Sequence, residues 1–168
     1  MRVDKIYLDM DGVLADFNRG VAELCGFPPP LKQDEDPAYD DLMWAEVKKI
    51  PHFYDKLELM PGAKEMFDRL YDKYGDKCEI LTGIPGPRRG LSDVAEDKIK
   101  WVRRLLSQDI VVNTVRRAEK RGFAKGEGCI LIDDLESTIT AWNALGSTGI
   151  LHTSAEETMK ILADTGII

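Results

Sequence analysis

Two carboxylates close the first apolar run of the chain: Val3, Ile6, Tyr7 and Leu8 lead into Asp9, Met10, Asp11 and Gly12. A run of this length bounded by glycine reads as a buried strand, although periodicity alone leaves a helix fragment open. In a strand Asp9 and Asp11 point the same way, roughly 7 Å apart. Like charges so placed repel, and they need a cation or a shared proton to coexist. A solvated Asp-Gly turn is the competing reading. Two later runs end in the same manner, residues 78–81 at Thr82-Gly83 and residues 129–132 at Asp133-Asp134.

Four carboxylates converging with a hydroxyl, and without His or thiolate, select a hard divalent ion, for which Mg2+ is the default. With a lysine nearby, that set suits phosphoryl transfer. One aspartate attacks in line and forms an acyl phosphate, and the other moves the proton of the leaving alkoxide and then of water.

The elements that would position these groups alternate. Five short apolar runs, near residues 3–8, 78–81, 110–113, 129–132 and 148–151, are each followed by a helical pattern. Such β-α repeats predict an α/β fold, an open five-stranded parallel sheet with helices on both faces. Ligands bind at the carboxyl ends of strands in such sheets. Helices are expected over 13–25, stopping at Gly26, and over 39–50, 63–74, 135–145 and from Ser154 onward. A further helix from an N-cap at Ser92 to Leu106 would bury Val94, Ile99, Val102, Leu105 and Leu106. Pro28, Pro29 and Pro30 cannot continue a helix, and Asp34, Glu35 and Asp36 read as solvated. Residues 18–58 are a helical excursion too long for an ordinary loop. Its aromatics Trp44, Phe53 and Tyr54 either form a small core of their own or face a ligand.

At 168 residues, 43% hydrophobic and 32% charged, the chain suits one soluble domain with a small insertion. A net charge of -7 argues against a nucleic-acid polymer as partner, since phosphate neutralisation needs a basic surface. It leaves room for a small anion met by a local basic cluster. Cys25, Cys78 and Cys129 lack metal-site spacing and read as reduced thiols; neither His52 nor His152 is assigned chemistry. With no signal-type segment and no apolar run of membrane length, the expectation is a cytoplasmic protein without membrane contact.

Asp9-Met-Asp-Gly12, Leu81-Thr82, a downstream lysine and Ile130-Leu-Ile-Asp-Asp134 together resemble the four motifs of the haloacid dehalogenase (HAD) superfamily. More narrowly, the stretch from Asp9 to Phe17, residues 57–63 (Leu-Glu-Leu-Met-Pro-Gly-Ala) and Trp142 resemble the 5′(3′)-deoxyribonucleotidases. The resemblance implies a three-layer Rossmann-like core over 1–17 and 59–168 and a small helical cap over 18–58. It implies Asp9 as nucleophile and Mg2+ ligand, Asp11 as general acid/base with its carbonyl on the metal, and Thr82 on the phosphoryl oxygens. Asp134 would complete the metal set beside Asp133, and Gly83 would lie at the substrate. Phe17 and Trp44 would meet the nucleoside.

For the phosphate-neutralising lysine, Lys120 fits the family's Lys-Arg-Gly-Phe-Ala pattern; Lys125 lies nearer Asp133, and Lys98 is a second candidate near the phosphate. Gly83 and residues 85–89 depart from the vertebrate nucleotidases, where a second hydroxyl residue follows the threonine. Arg88 and Arg89 are either surface charge or hold a second anionic group of the substrate. The implied activity is a Mg2+-dependent phosphomonoesterase acting on (deoxy)nucleoside monophosphates, as a monomer or homodimer. The alternatives are the same chemistry on another small ester such as a sugar phosphate, or a non-catalytic binding protein of this fold.

Overall fold

The computed structural model describes residues 1–27 and 36–168; the expected breaks at Pro28, Pro29 and Pro30 and the acidic pair Asp34 and Glu35 fall outside that range. In chain order the elements are β1 (Lys5–Leu8), α1 (Phe17–Cys25), α2 (Pro37–Lys48), α3 (Ala63–Tyr74), β2 (Cys78–Gly83) and α4 (Val94–Leu105). Then come β3 (Val111–Val115), β4 (Cys129–Asp133), α5 (Glu136–Ala144), β5 (Thr148–Leu151) and α6 (Ala155–Asp164). Short 3-10 turns cover Phe53–Lys56 and Arg117–Phe123. The strands form one parallel sheet in the order β3-β2-β1-β4-β5. This is the expected α/β architecture, with β1 at the centre.

Alternation along the strands builds two cores. Ile6, Leu8, Ile80, Ile130 and Ile132 face one side, where Phe67 and Leu70 of α3, Trp101 and Val102 of α4 and Leu162 of α6 pack. Tyr7, Leu81, Cys129 and Leu131 face the other, against Ile139 and Trp142 of α5. Trp142 anchors that layer by donating its Nε1 proton to the Cys129 carbonyl at 3.1 Å. The chain steps from β1 outward to β3 and then returns to the far side of β1 with β4. That reversal is the switch point where doubly wound sheets open a crevice. Leu8 pairs with Ile132, so the ends of β1 and β4 emerge side by side.

Several boundaries differ from the sequence reading. The first helix begins at Phe17 rather than residue 13, because the Met10 carbonyl accepts the amides of Val13, Leu14 and Ala15 in a tight turn. The Asp16 carboxylate, accepting from the Arg19 amide at 3.2 Å, then caps the helix. Val13 and Leu14 are buried all the same, so their apolar character belongs to the turn. The second helix starts at Pro37, capped by Asp36, instead of at residue 39. Ser92 is not an N-cap. Asp93 occupies that position in a left-handed conformation, with no side-chain cap. On α4, Asp97, Lys98 and Trp101 lie on the buried face with Val94 and Val102, while Ile99, Leu105 and Leu106 are only partly buried. The third strand is Val111–Val115, one residue later at its start than expected, and β2 extends through Gly83.

Between β1 and α3 the chain runs through α1, α2 and the turn Phe53–Lys56. Its aromatics pack together as part of the core on the α3 and α4 side of the sheet rather than as a core of their own: the Phe17 ring lies 5.6 Å from those of Trp44 and Phe53 and 6.1 Å from that of Tyr54. Phe17, Phe53 and Tyr54 are buried, and Trp44 is half-buried. None of the helices, among the described residues, is long and apolar enough to cross a membrane.

Candidate active site

The site is built where β1 and β4 end. The Asp9 amide donates to the Ile132 carbonyl at 2.9 Å, extending the ladder by one residue and setting the Asp9 side chain at the crevice. Beyond it the chain must turn sharply. Gly12 does this at a φ of 80°, and any Cβ there would fall on the carboxylate of Asp134. Glycine is thus required by the approach of the two loops as well as by the turn.

Asp9, Asp133 and Asp134 each offer a carboxylate oxygen, and these oxygens lie within 4.8 Å of one another. The Lys120 ammonium, buried in the turn Arg117–Phe123, sits 2.9 Å from Asp9 Oδ1 and 2.7 Å from Asp133 Oδ2. Lys125 is exposed. Asp133 Oδ1 accepts from the Leu135 amide at 2.9 Å, which fixes the start of α5. Asp11 stands beside this group, with its Oδ2 2.8 Å from the ammonium of Lys98 and its Oδ1 buried without a partner. Thr82 is fully buried. It lies on the α4 face of β2, and its hydroxyl accepts from Lys98 at 2.9 Å. A cleft of about 170 Å3 opens over Asp9, Asp11, Lys120, Asp133 and Asp134. Its walls are Phe17, Met43, Trp44, Tyr54, Gly83, Ile84 and Pro85, with Asp40 and Arg117. Thr82 and Lys98 are not among the residues that line it.

Sequence reasoning missed two groups here, Asp97 and His152, and left Tyr54 open between a core place and a ligand-facing one. Tyr54 both lines the cleft and stacks its ring 4.5 Å from the Lys98 ammonium. Asp97 is buried and pairs with His52 Nδ1 at 2.9 Å. His152, buried at the end of β5, donates its amide to the Asp133 carbonyl at 2.9 Å and places Nδ1 2.8 Å from Thr158 Oγ1. A charge at the helical period of Val94 and Val102 was the available signal for Asp97 and Lys98. The histidine had none.

Crowding shows in the acidities. Burial, then Asp9, Asp133 and Asp11, push the Asp134 carboxyl up to about 8. Burial and Asp9 push Asp133 up to about 6 against the pull of Lys120. Burial also raises Asp11, with Lys98 opposing and Asp9 reinforcing. For Lys120 burial disfavours the ammonium, but Asp9 and Asp133 outweigh it and hold its pKa above the usual range. One lysine cannot neutralise three adjoining carboxylates. A hard cation with oxygen ligands fits this donor set.

That excess charge gives a testable pH dependence. A carboxyl raised on folding binds more protons in the folded than in the unfolded chain, so stability falls as pH rises between 3.8 and about 8 for Asp134. Asp133 and Asp11 act in the same direction. His152, lowered by burial, acts in the opposite direction as pH rises toward 6.5. In a chelator, melting temperature is expected to fall from about pH 5 to about pH 8, and added Mg2+ to raise it more at the higher pH. Equal Mg2+ effects at both pH values in a fluorimetric melt would contradict this.

No family model matches the sequence, and no curated protein matches it. Solved structures do match the fold. A HAD-superfamily hydrolase of subfamily IA from Geobacter sulfurreducens superposes with a TM-score of 0.53 at 14% identity, over 95% of this chain and 96% of that one. A haloacid dehalogenase-like hydrolase from Streptococcus pneumoniae gives 0.57 at 13%, over 89% and 84%. A dehalogenase gives 0.54 at 12%, over 90% and 85%. Identities this low speak for the fold alone, and one fold can host different reactions. The chain has the Rossmann-like fold of the HAD-superfamily hydrolases.

Proposed function

We propose that the protein is a Mg2+-dependent phosphomonoesterase working through an aspartyl phosphate on Asp9. The observation that carries this is the juxtaposition of Asp9 with the Lys120 ammonium at 2.9 Å and with the oxygens of Asp133 and Asp134, on the floor of an open cleft.

In this reading Asp9 and Asp134, with the Asp11 carbonyl, would hold the Mg2+, and Asp133 orients the shell. When bound, the metal neutralises phosphoryl oxygens as charge builds on them. Lys120 does the same from the protein side, with its ammonium 2.9 Å from Asp9 Oδ1 holding that side chain in place. Asp9 attacks phosphorus as the ester P–O bond breaks, and the proton of Asp11 passes to the leaving alkoxide. Asp11 then takes a proton from the water that attacks the aspartyl phosphate, which releases inorganic phosphate and restores Asp9. Burial, which raises the pKa of Asp11 above the usual carboxylate range, suits a group that must first carry a proton. Thr82 supports the floor from beneath, and Gly83 leaves room beside the phosphate.

The segment 18–58 acts as the cap, with core elements 1–17 and 59–168 below it. Trp44, Tyr54 and Phe17 line the cleft with aromatic rings suited to a nucleobase, so (deoxy)nucleoside monophosphates are the first substrate class. The cleft volume of about 170 Å3 is below the usual range for drug-sized ligands and favours a second reading, a smaller ester such as a sugar phosphate. Phosphate release from a panel of nucleoside monophosphates and sugar phosphates, with and without Mg2+, separates them. Mg2+-dependent release from nucleotides is expected; release from sugar phosphates alone would overturn the nucleotide reading. An inert protein would overturn both.

A further inference from the structure

An ammonium has three N–H donors, and every one on Lys98 is already used. They go to Asp11 Oδ2 at 2.8 Å, Thr82 Oγ1 at 2.9 Å and the Gly83 carbonyl at 2.7 Å. Lys98 is fully buried under the floor of the cleft, and its remaining side is closed by the Tyr54 ring at 4.5 Å. A lysine so placed has no donor and no line of approach for a phosphoryl oxygen, in contrast to Lys120, which lines the cleft.

Tyr54 is held there by several links between its segment and α4. Trp101 donates its indole N–H to the Leu57 carbonyl at 2.7 Å, His52 pairs with Asp97 at 2.9 Å, and Arg104 reaches Asp55. The turn Phe53–Lys56 and the helix bearing Lys98 are tied to each other by these three side-chain links. A cation over an aromatic face gains most where water is excluded.

We propose that Lys98 is a positioning residue for Asp11 rather than a ligand of the substrate phosphate, and that Tyr54, supplied by the cap segment, completes its setting. The ammonium fixes Asp11 Oδ2 to the end of β2 and so sets the orientation of a carboxylate that lines the cleft. Cap placement is thereby coupled to the readiness of the acid/base. The inference rests on the reading of Asp11 as that acid/base, and the variants below separate the two.

The test uses p-nitrophenyl phosphate as the ester and inorganic phosphate as the inhibitor. Lys98→Met is expected to lower kcat about 100-fold while leaving the inhibition constant for phosphate within about threefold. The double variant with Asp11→Asn should be no slower than Asp11→Asn alone, since groups acting as a unit are not additive. A roughly tenfold or greater weakening of phosphate inhibition, with kcat little changed, would make Lys98 a phosphate ligand and overturn the proposal. An Asp11→Asn variant as active as wild type would instead overturn the acid/base reading. Should Lys98→Met fail to fold, the Tyr54 pair decides. Tyr54→Phe, which keeps the ring face, should retain more of kcat than Tyr54→Leu at equal phosphate inhibition; equal kcat values would overturn the coupling.

Discussion

Replacing Asp9 by Asn is expected to abolish turnover, lowering kcat by about 10⁴-fold or more, while the chain stays folded. The amide keeps the shape of the carboxylate but is a poor nucleophile, so no acyl phosphate forms at a useful rate. Folding should not suffer. Asp9 is among the charges that raise the pKa values of Asp133 and Asp134, so its neutralisation relieves repulsion at the end of the sheet. Lys120 retains its 2.7 Å contact with Asp133. The expected combination is a dead enzyme whose melting temperature in a chelator equals or exceeds that of wild type. An active Asp9→Asn protein would remove the nucleophile from the account.

Lys120→Met is expected to damage both stability and activity. Its ammonium lies between Asp9 and Asp133, with the lysine side chain 5% and that of Asp133 1% exposed. Removing one partner of a buried ion pair leaves an uncompensated charge, at a cost of about 3–5 kcal/mol. Urea unfolding in a chelator should show that loss, and Mg2+ should restore part of it by supplying positive charge to the same carboxylates. Activity should fall about 10²–10³-fold even with saturating Mg2+, because a fixed positive charge facing the phosphoryl group is gone. Lys125→Met serves as the contrast. Its side chain is exposed, and the variant should behave as wild type. Loss of activity in Lys125→Met with none in Lys120→Met would reverse the assignment.

The strand ends were legible because strand period and chemistry coincide in them. Apolar runs ending in Asp-x-Asp-Gly, Thr-Gly and Asp-Asp marked both the sheet and its reactive edge, and all of β1, β2 and β4 lie where those runs do. The floor beneath the edge was harder to read. Thr82 shares a strand end with Gly83, yet alternation turns it toward α4 and away from the cleft. On α4 the buried stripe runs through Asp97 and Lys98. A pattern that equates charge with solvent therefore shifts the helix's apparent face toward Ile99 and Leu105. Tertiary partners explain the exception: Asp97 has His52, and Lys98 has Asp11, Thr82 and Gly83. The turn at residues 13–15 misled for the reverse reason, since apolar residues at near-helical spacing were buried by a loop that Gly12 makes possible.

Covalent capture at Asp9 is the sharpest measurement. An Asp11→Asn protein mixed with p-nitrophenyl phosphate and Mg2+ has a leaving group that needs no proton but lacks the base for the second step, so the acyl phosphate should accumulate. Acid quenching and peptide mass spectrometry should find one phosphoryl group on Asp9, dependent on Mg2+ and convertible to homoserine by borohydride. Turnover of the ester with Asp9 unmodified, or a phosphoryl group on another residue, would contradict the mechanism at its first step.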